Sequence, residues 1–113
     1  MTHKMKLNEE PFEKNKTGSK TIELRLYDEK RRKIKVGDNI CFQSESDGLT
    51  VKVKAVYIFK NFEEMCAILP LDKCGYSADE LTTASPNDML EYYTKDQIEK
   101  YGVVGIEIGV IKC

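Results

Sequence analysis

"GSKTIELRLYDEKRRKIKVGD", residues 18–38, holds eleven charged side chains in twenty-one positions. Its first half alternates. Ile22, Leu24 and Leu26 fall on one face of a strand over Lys20–Tyr27, and Thr21, Glu23, Arg25 and Tyr27 fall on the other. That period predicts a half-buried strand with its charges in solvent. Residues 28–38 follow as a polar connection, anchored by Ile34 and Val36 and closed by the turn Gly37-Asp38.

Downstream, Ile40 and Phe42 begin a second strand, and Asp47-Gly48 signals a hairpin. The returning strand puts Leu49, Val51, Val53, Ala55, Tyr57 and Phe59 on one face, with Lys52 and Lys54 opposite. Asn61 with Glu64 three residues on caps a helix that Pro70 limits. Residues 71–84 read as a loop with one helical turn at most. Ser85-Pro86 starts a helix through Met89, Leu90, Tyr92 and Tyr93. Thr94 with Gln97 starts the next, which Gly102 closes. The last strand carries Val104, Ile106 and Ile108 on one side and Gly105, Glu107 and Gly109 on the other. Upstream, Met5 and Leu7 alternate with Lys4 and Lys6 in a short first strand. Asn8 caps a helix that packs through Phe12 and stops at Gly18. This order predicts an α+β fold: a small curled sheet or β-barrel with helices at one end.

At 113 residues, 41% hydrophobic and 33% charged, the chain fits one globular domain, 1–113, with no linker or repeat. Apolar runs such as Ala55–Phe59 are far too short to span a membrane, and no apolar signal core follows the N-terminal charges. A cytoplasmic protein is expected. Cys41, Cys66, Cys74 and Cys113 lack Cys-x-x-Cys spacing, and His3 is the single histidine. Neither a metal site nor a disulfide framework is expected, and no cofactor is called for. His3 reads as a terminal, partly ordered side chain. Net charge is −1, yet residues 1–36 carry eleven Lys/Arg against six Asp/Glu, and residues 37–113 seven against thirteen. One basic surface able to meet phosphates is implied.

The run Gly18-x-Lys20-Thr21-Ile22-Glu23-x-Arg25 resembles the GxKxxExR signature of the ASCH domain family, whose relatives are the PUA RNA-binding domains. "KVGDNICF" (35–42) and "YGVVGIEIG" (101–109) are similar to that family as well. The resemblance implies a small PUA-like curled β-barrel flanked by helices, with a cleft at the barrel mouth that takes RNA or a modified nucleoside. A related branch hydrolyses the amide of N4-acetylcytidine with a lysine, a threonine three residues later and a glutamate further on. Here the lysine is Lys20, Glu23 stands in the threonine's place, and the glutamate falls on Glu63 or Glu64. An amidohydrolase would then use Glu23 to activate water and Lys20 to stabilise the oxyanion, with the Thr21 hydroxyl nearby. A structural or interaction domain without ligand chemistry is the third reading.

The ligand set so implied is Gly18, Ser19, Lys20, Glu23 and Arg25, joined by Lys6, by Tyr93 as a stacking ring, and by Glu107, which Gly105 and Gly109 leave approachable. Against it stands a plain ion cluster on an outer strand face. Lys30, Arg31, Arg32, Lys33 and Lys35 are five cations in six positions, either an RNA-backbone edge or a solvated connection.

Overall fold

Among the described residues, alternating apolar side chains build five strands, and three short helices lie between them. The computed structural model describes residues 2–6, 21–45, 47–74, 90 and 93–110. In chain order the elements are β1 (Thr2–Lys6), β2 (Ile22–Leu26), α1 (Glu29–Arg32), β3 (Asn39–Gln43), β4 (Gly48–Phe59), α2 (Phe62–Ile68), a 3-10 turn (Leu71–Cys74), α3 (Lys95–Tyr101) and β5 (Val103–Val110). One sheet runs β1-β3-β4-β5-β2. β1 lies parallel to β3, and the remaining pairs are antiparallel.

Each face of the sheet carries its own apolar cluster. Met5, Ile34, Ile40, Phe42, Val51, Val53, Val104, Ile106 and Ile108 pack on one side. Ile22, Leu24, Leu26, Phe59, Val103 and the α2 residues Phe62 and Met65 pack on the other. The first face is concave: the two edge strands meet across it, where Arg25 Nη2 on β2 donates to the Lys6 carbonyl on β1 at 3.1 Å. The molecule is an α+β half-barrel with α2 and α3 on its convex side.

Helix starts follow their local chemistry. Asn61 Oδ1 accepts from the Glu64 N–H at 2.8 Å. Thr94 and Gln97 exchange two bonds in a capping box, at 3.2 and 3.0 Å. Gly102 ends α3 at φ +73°, and a Cβ there would stand 3.0 Å from the Phe59 carbonyl.

Several expectations are corrected. The 28–38 connection contains α1, capped by Asp28, whose Oδ1 accepts from the Arg31 N–H. Ile34 is buried in the core as expected, but Val36 is 66% exposed and anchors nothing. The single apolar face expected for β4 is broken by a register shift between Val53 and Ala55. Val51 and Val53 therefore face the concave cluster, and Tyr57 and Phe59 the convex one. On its other side β4 keeps its pairing, since Val53 N–H bonds the Asp38 carbonyl and Val53 C=O accepts from Gly37 N–H just before β3. The helices expected from Asn8 and from Ser85 lie outside the described residues, apart from Leu90 and Tyr93. Among the described residues no helix is long and apolar enough to cross a membrane.

Candidate functional site

β2 is buried on both faces, because it caps the half-barrel's edge while α3 and the 3-10 turn pack against its back. The expectation of a solvated charged face is thereby overturned at its centre. Glu23 is only 3% exposed. It lies opposite Ile106, and Arg25 opposite Val104, both inside the concave cluster. Arg25 Nε stands 3.3 Å from Glu23 Oε1, an ion pair within an apolar surface. That nitrogen is buried and, among the described residues, has no aligned hydrogen-bond acceptor. The same guanidinium reaches the Lys6 carbonyl. Lys6 thus joins the site through its backbone, while its side chain is exposed.

Gly18, Ser19 and Lys20 lie outside the described residues. Thr21 is held by its backbone: its N–H bonds the Lys73 carbonyl and its C=O accepts from Ile108 N–H, each at 2.8 Å. This fixes the start of β2 against β5 and the 3-10 turn.

Glu107 and Tyr93 belong to the opposite face. Glu107 Oε1 accepts from the Tyr57 hydroxyl at 3.2 Å, and its charge raises the Tyr57 pKa above the ordinary 10.0. The bare positions beside Glu107 are filled from within the protein. A Cβ at 105 would meet Leu69 Cδ1 at 2.8 Å, and one at 109 would meet Lys54 Cε at 2.5 Å. These glycines admit the chain's own side chains, so the reason for setting Glu107 in the cleft does not hold. Tyr93 stacks on Phe62, with centroids 6.1 Å apart. Glu63 and Glu64 are exposed on α2, across the sheet from Glu23. Glu63 borders a surface cleft of about 320 Å3 lined also by Phe62, Lys95, Ile98 and Glu99.

The five cations divide. Arg31 pairs with its own helix cap, Nη1 to Asp28 Oδ2 at 3.0 Å. Arg32 lies over the Tyr27 ring at 4.5 Å from Cζ to centroid, and donates from Nε to the Tyr27 carbonyl and from Nη2 to the Tyr101 carbonyl. Lys30, Lys33 and Lys35 are exposed.

His3 is the residue that sequence reasoning misplaced. It is 8% exposed, and its Nε2 lies 2.8 Å from Asp38 Oδ2. That contact, then the Lys35 N–H, holds the Asp38 carboxyl below its ordinary 3.8. No sequence signal links positions 3 and 38; only the parallel β1–β3 pairing does, through Thr2 opposite Asn39 and His3 opposite Ile40. Among the described residues no group of three or more His, Cys, Asp or Glu is placed to hold a metal ion.

The model of the ASCH domain matches residues 5–112 of the chain. The crystal structure of hypothetical protein PH0355 is similar at a TM-score of 0.83 and 41% identity, over 98% of this chain and 100% of that one. The solution NMR structure of protein PF0455 from Pyrococcus furiosus is similar at a TM-score of 0.67 and 38% identity, over 100% of both. No curated protein matches the chain. The α+β, PUA-like curled sheet flanked by helices is the shared architecture.

Proposed function

The chain belongs to the ASCH domain family, and from that membership we propose that it binds RNA or a modified nucleoside in the cytoplasm, at the Glu23–Arg25 end of its curled sheet. The observation that carries this reading is the Glu23–Arg25 pair, which sits in the concave apolar face where the sheet edges meet. A buried ion pair is poor value as a source of stability, because well-packed apolar residues often do as well. A carboxylate there accepts from an exocyclic amine such as that of cytosine, and a guanidinium fork meets a phosphate or a base edge. The Arg25 side chain keeps 15% of its surface exposed beside the buried pair, and through that part its guanidinium would meet a ligand oxygen. Gly18, Ser19 and Lys20 lead directly into this strand and supply the rest of the binding set. Lys30, Lys33 and Lys35 add charge for the backbone and no sequence preference.

The test is titration of labelled single-stranded RNA, and separately of cytidine derivatives, into the protein at two salt concentrations. Saturable RNA binding that weakens linearly in log salt, and weakens further in Arg25→Gln, supports the proposal. An absence of saturable binding to every probe sinks it.

The amidohydrolase reading draws on Glu23 as base for a water and on the Thr21 hydroxyl beside it. It lacks the later glutamate, since Glu63 and Glu64 stand on the other face. Release of cytidine from N4-acetylcytidine, lost in Glu23→Gln and in Lys20→Ala, would move the weight to it. With neither binding nor turnover, the interaction-domain reading remains.

A further inference from the structure

Arg32 is built differently from the other cations of its run. Its guanidinium is clamped at two nitrogens, Nε to the Tyr27 carbonyl at 3.0 Å and Nη2 to the Tyr101 carbonyl at 3.4 Å. One side of the group is covered by the Tyr27 ring, 4.5 Å away at the centroid. The residue is nevertheless exposed, so the side away from the ring faces solvent. Three segments hold it: the end of β2, α1, and the end of α3, where Tyr27 N–H also bonds the Gly102 carbonyl at 3.0 Å. A solvated arginine that only tracked phosphates would need none of this fixation. An immobilised, planar, delocalised cation backed by an aromatic ring is a surface on which a base can stack.

The surroundings suit a nucleic-acid strand. Lys30 and Lys33 flank Arg32 on α1 and are exposed. Lys100 Nζ lies 5.1 Å from the Tyr101 ring centroid, next to the carbonyl that Arg32 uses. Asp28, the helix cap, is engaged by Arg31, while Glu29 is exposed on the first turn of α1. Tyr27 follows directly on the end of β2 and packs against the concave cluster that also holds the partners of Glu23 and Arg25, so the platform lies beside that site.

We infer that Arg32, backed by Tyr27, is a preformed stacking platform for an unpaired base of single-stranded RNA, with Lys30, Lys33 and Lys100 neutralising the adjacent phosphates. The inference rests on the RNA-binding reading above and adds a second contact point outside the Glu23–Arg25 site. It assigns Arg32 a role in base contact that Lys30 and Lys33 do not share, and predicts that charge alone does not replace it.

The experiment compares a short oligouridine with the abasic ribose-phosphate strand of equal length, bound to the unaltered protein and to Arg32→Lys and Lys33→Ala. The unaltered protein should prefer the oligouridine by at least about fivefold. Arg32→Lys should abolish that preference while leaving the salt dependence unchanged, because the charge is kept. Lys33→Ala should keep the preference and reduce the salt slope by about one. Equal binding of the two strands by the unaltered protein overturns the platform and leaves RNA binding standing. So does an Arg32→Lys variant that discriminates like the parent. No binding of either strand removes both. Should Arg32→Lys fail to fold, Tyr27→Leu takes its place: loss of the oligouridine preference supports the platform, and an unchanged preference overturns it.

Discussion

Arg25 and Lys6 sit on the two edge strands of the sheet, yet Arg25 Nη2 donates to the Lys6 carbonyl at 3.1 Å. Four strand pairings separate these edges along the sheet, so their meeting measures its curl. The same guanidinium neutralises the buried Glu23 carboxylate. One side chain therefore links the closing of the half-barrel to the polar pair at its candidate site.

Removing that side chain should expose both dependencies. Arg25→Met leaves the 3%-exposed Glu23 without its described cation, and should cost about 3 kcal/mol in urea unfolding. Glu23→Gln in the same background should recover part of the loss, because the uncompensated charge is gone while the edge contact stays broken. An additive double variant would mean that the two groups are not coupled in the folded protein.

The Asp38 carboxyl is held below 3.8, first by the His3 hydrogen bond and then by the Lys35 N–H. A depressed carboxyl pKa favours the folded state above the unfolded value, and the gain is lost as pH falls through the folded value. Thermal melts from about pH 5 downwards should therefore fall more steeply for the unaltered protein than for Asp38→Asn, with the parent's advantage closing around and below 3.8. Parallel curves would mean that this contact contributes nothing to folding.

What could be read in advance was what local chemistry decides. The Asn61 and Thr94 caps, the Gly102 stop and the apolar faces of β2 and β5 each depend on neighbours within a few residues, and all stand where expected. The β4 phase change was not legible, since the register shift against β5 leaves no mark in the alternation of β4 itself. Alternation correctly separated Glu23 and Arg25 from Ile22 and Leu24. It could not say that both sides of β2 would be covered, because that depends on the curl, on α3 and on the 3-10 turn. The His3–Asp38 pair and the Arg32 clamp on Tyr101 join residues 35 and 69 positions apart, and no short-range pattern encodes either.

Tyr57 should titrate late. The Glu107 charge, and then its hydrogen bond, raise the Tyr57 pKa above 10.0, so the neutral hydroxyl persists into more alkaline solution. A raised value favours the folded state below the unfolded pKa, and that support is lost as pH rises through the folded one. In an absorbance titration, the difference between the parent and Tyr57→Phe isolates this ring from the other tyrosines. Glu107→Gln should move the isolated transition down towards 10.0. An unmoved transition would mean that the carboxylate is not its neighbour in solution.

The two bare positions of β5 should respond differently to the same added methyl. At Gly105 a Cβ would lie 2.8 Å from Leu69 Cδ1 and 3.3 Å from Ile22 Cγ2, and both neighbours are buried in the convex cluster. Leu69 is packed within that cluster, so Gly105→Ala should cost about 1–3 kcal/mol by overpacking. At Gly109 the clash is closer, 2.5 Å to Lys54 Cε, but that atom is near the end of an exposed, flexible side chain. Lys54 can swing into solvent, and Gly109→Ala should stay within about 0.5 kcal/mol of the parent. Urea midpoints of the two variants check the order. A larger loss at 109 would mean that the Lys54 stem, lying over the strand, is a packed part of the convex face, and that glycine is required there to receive it.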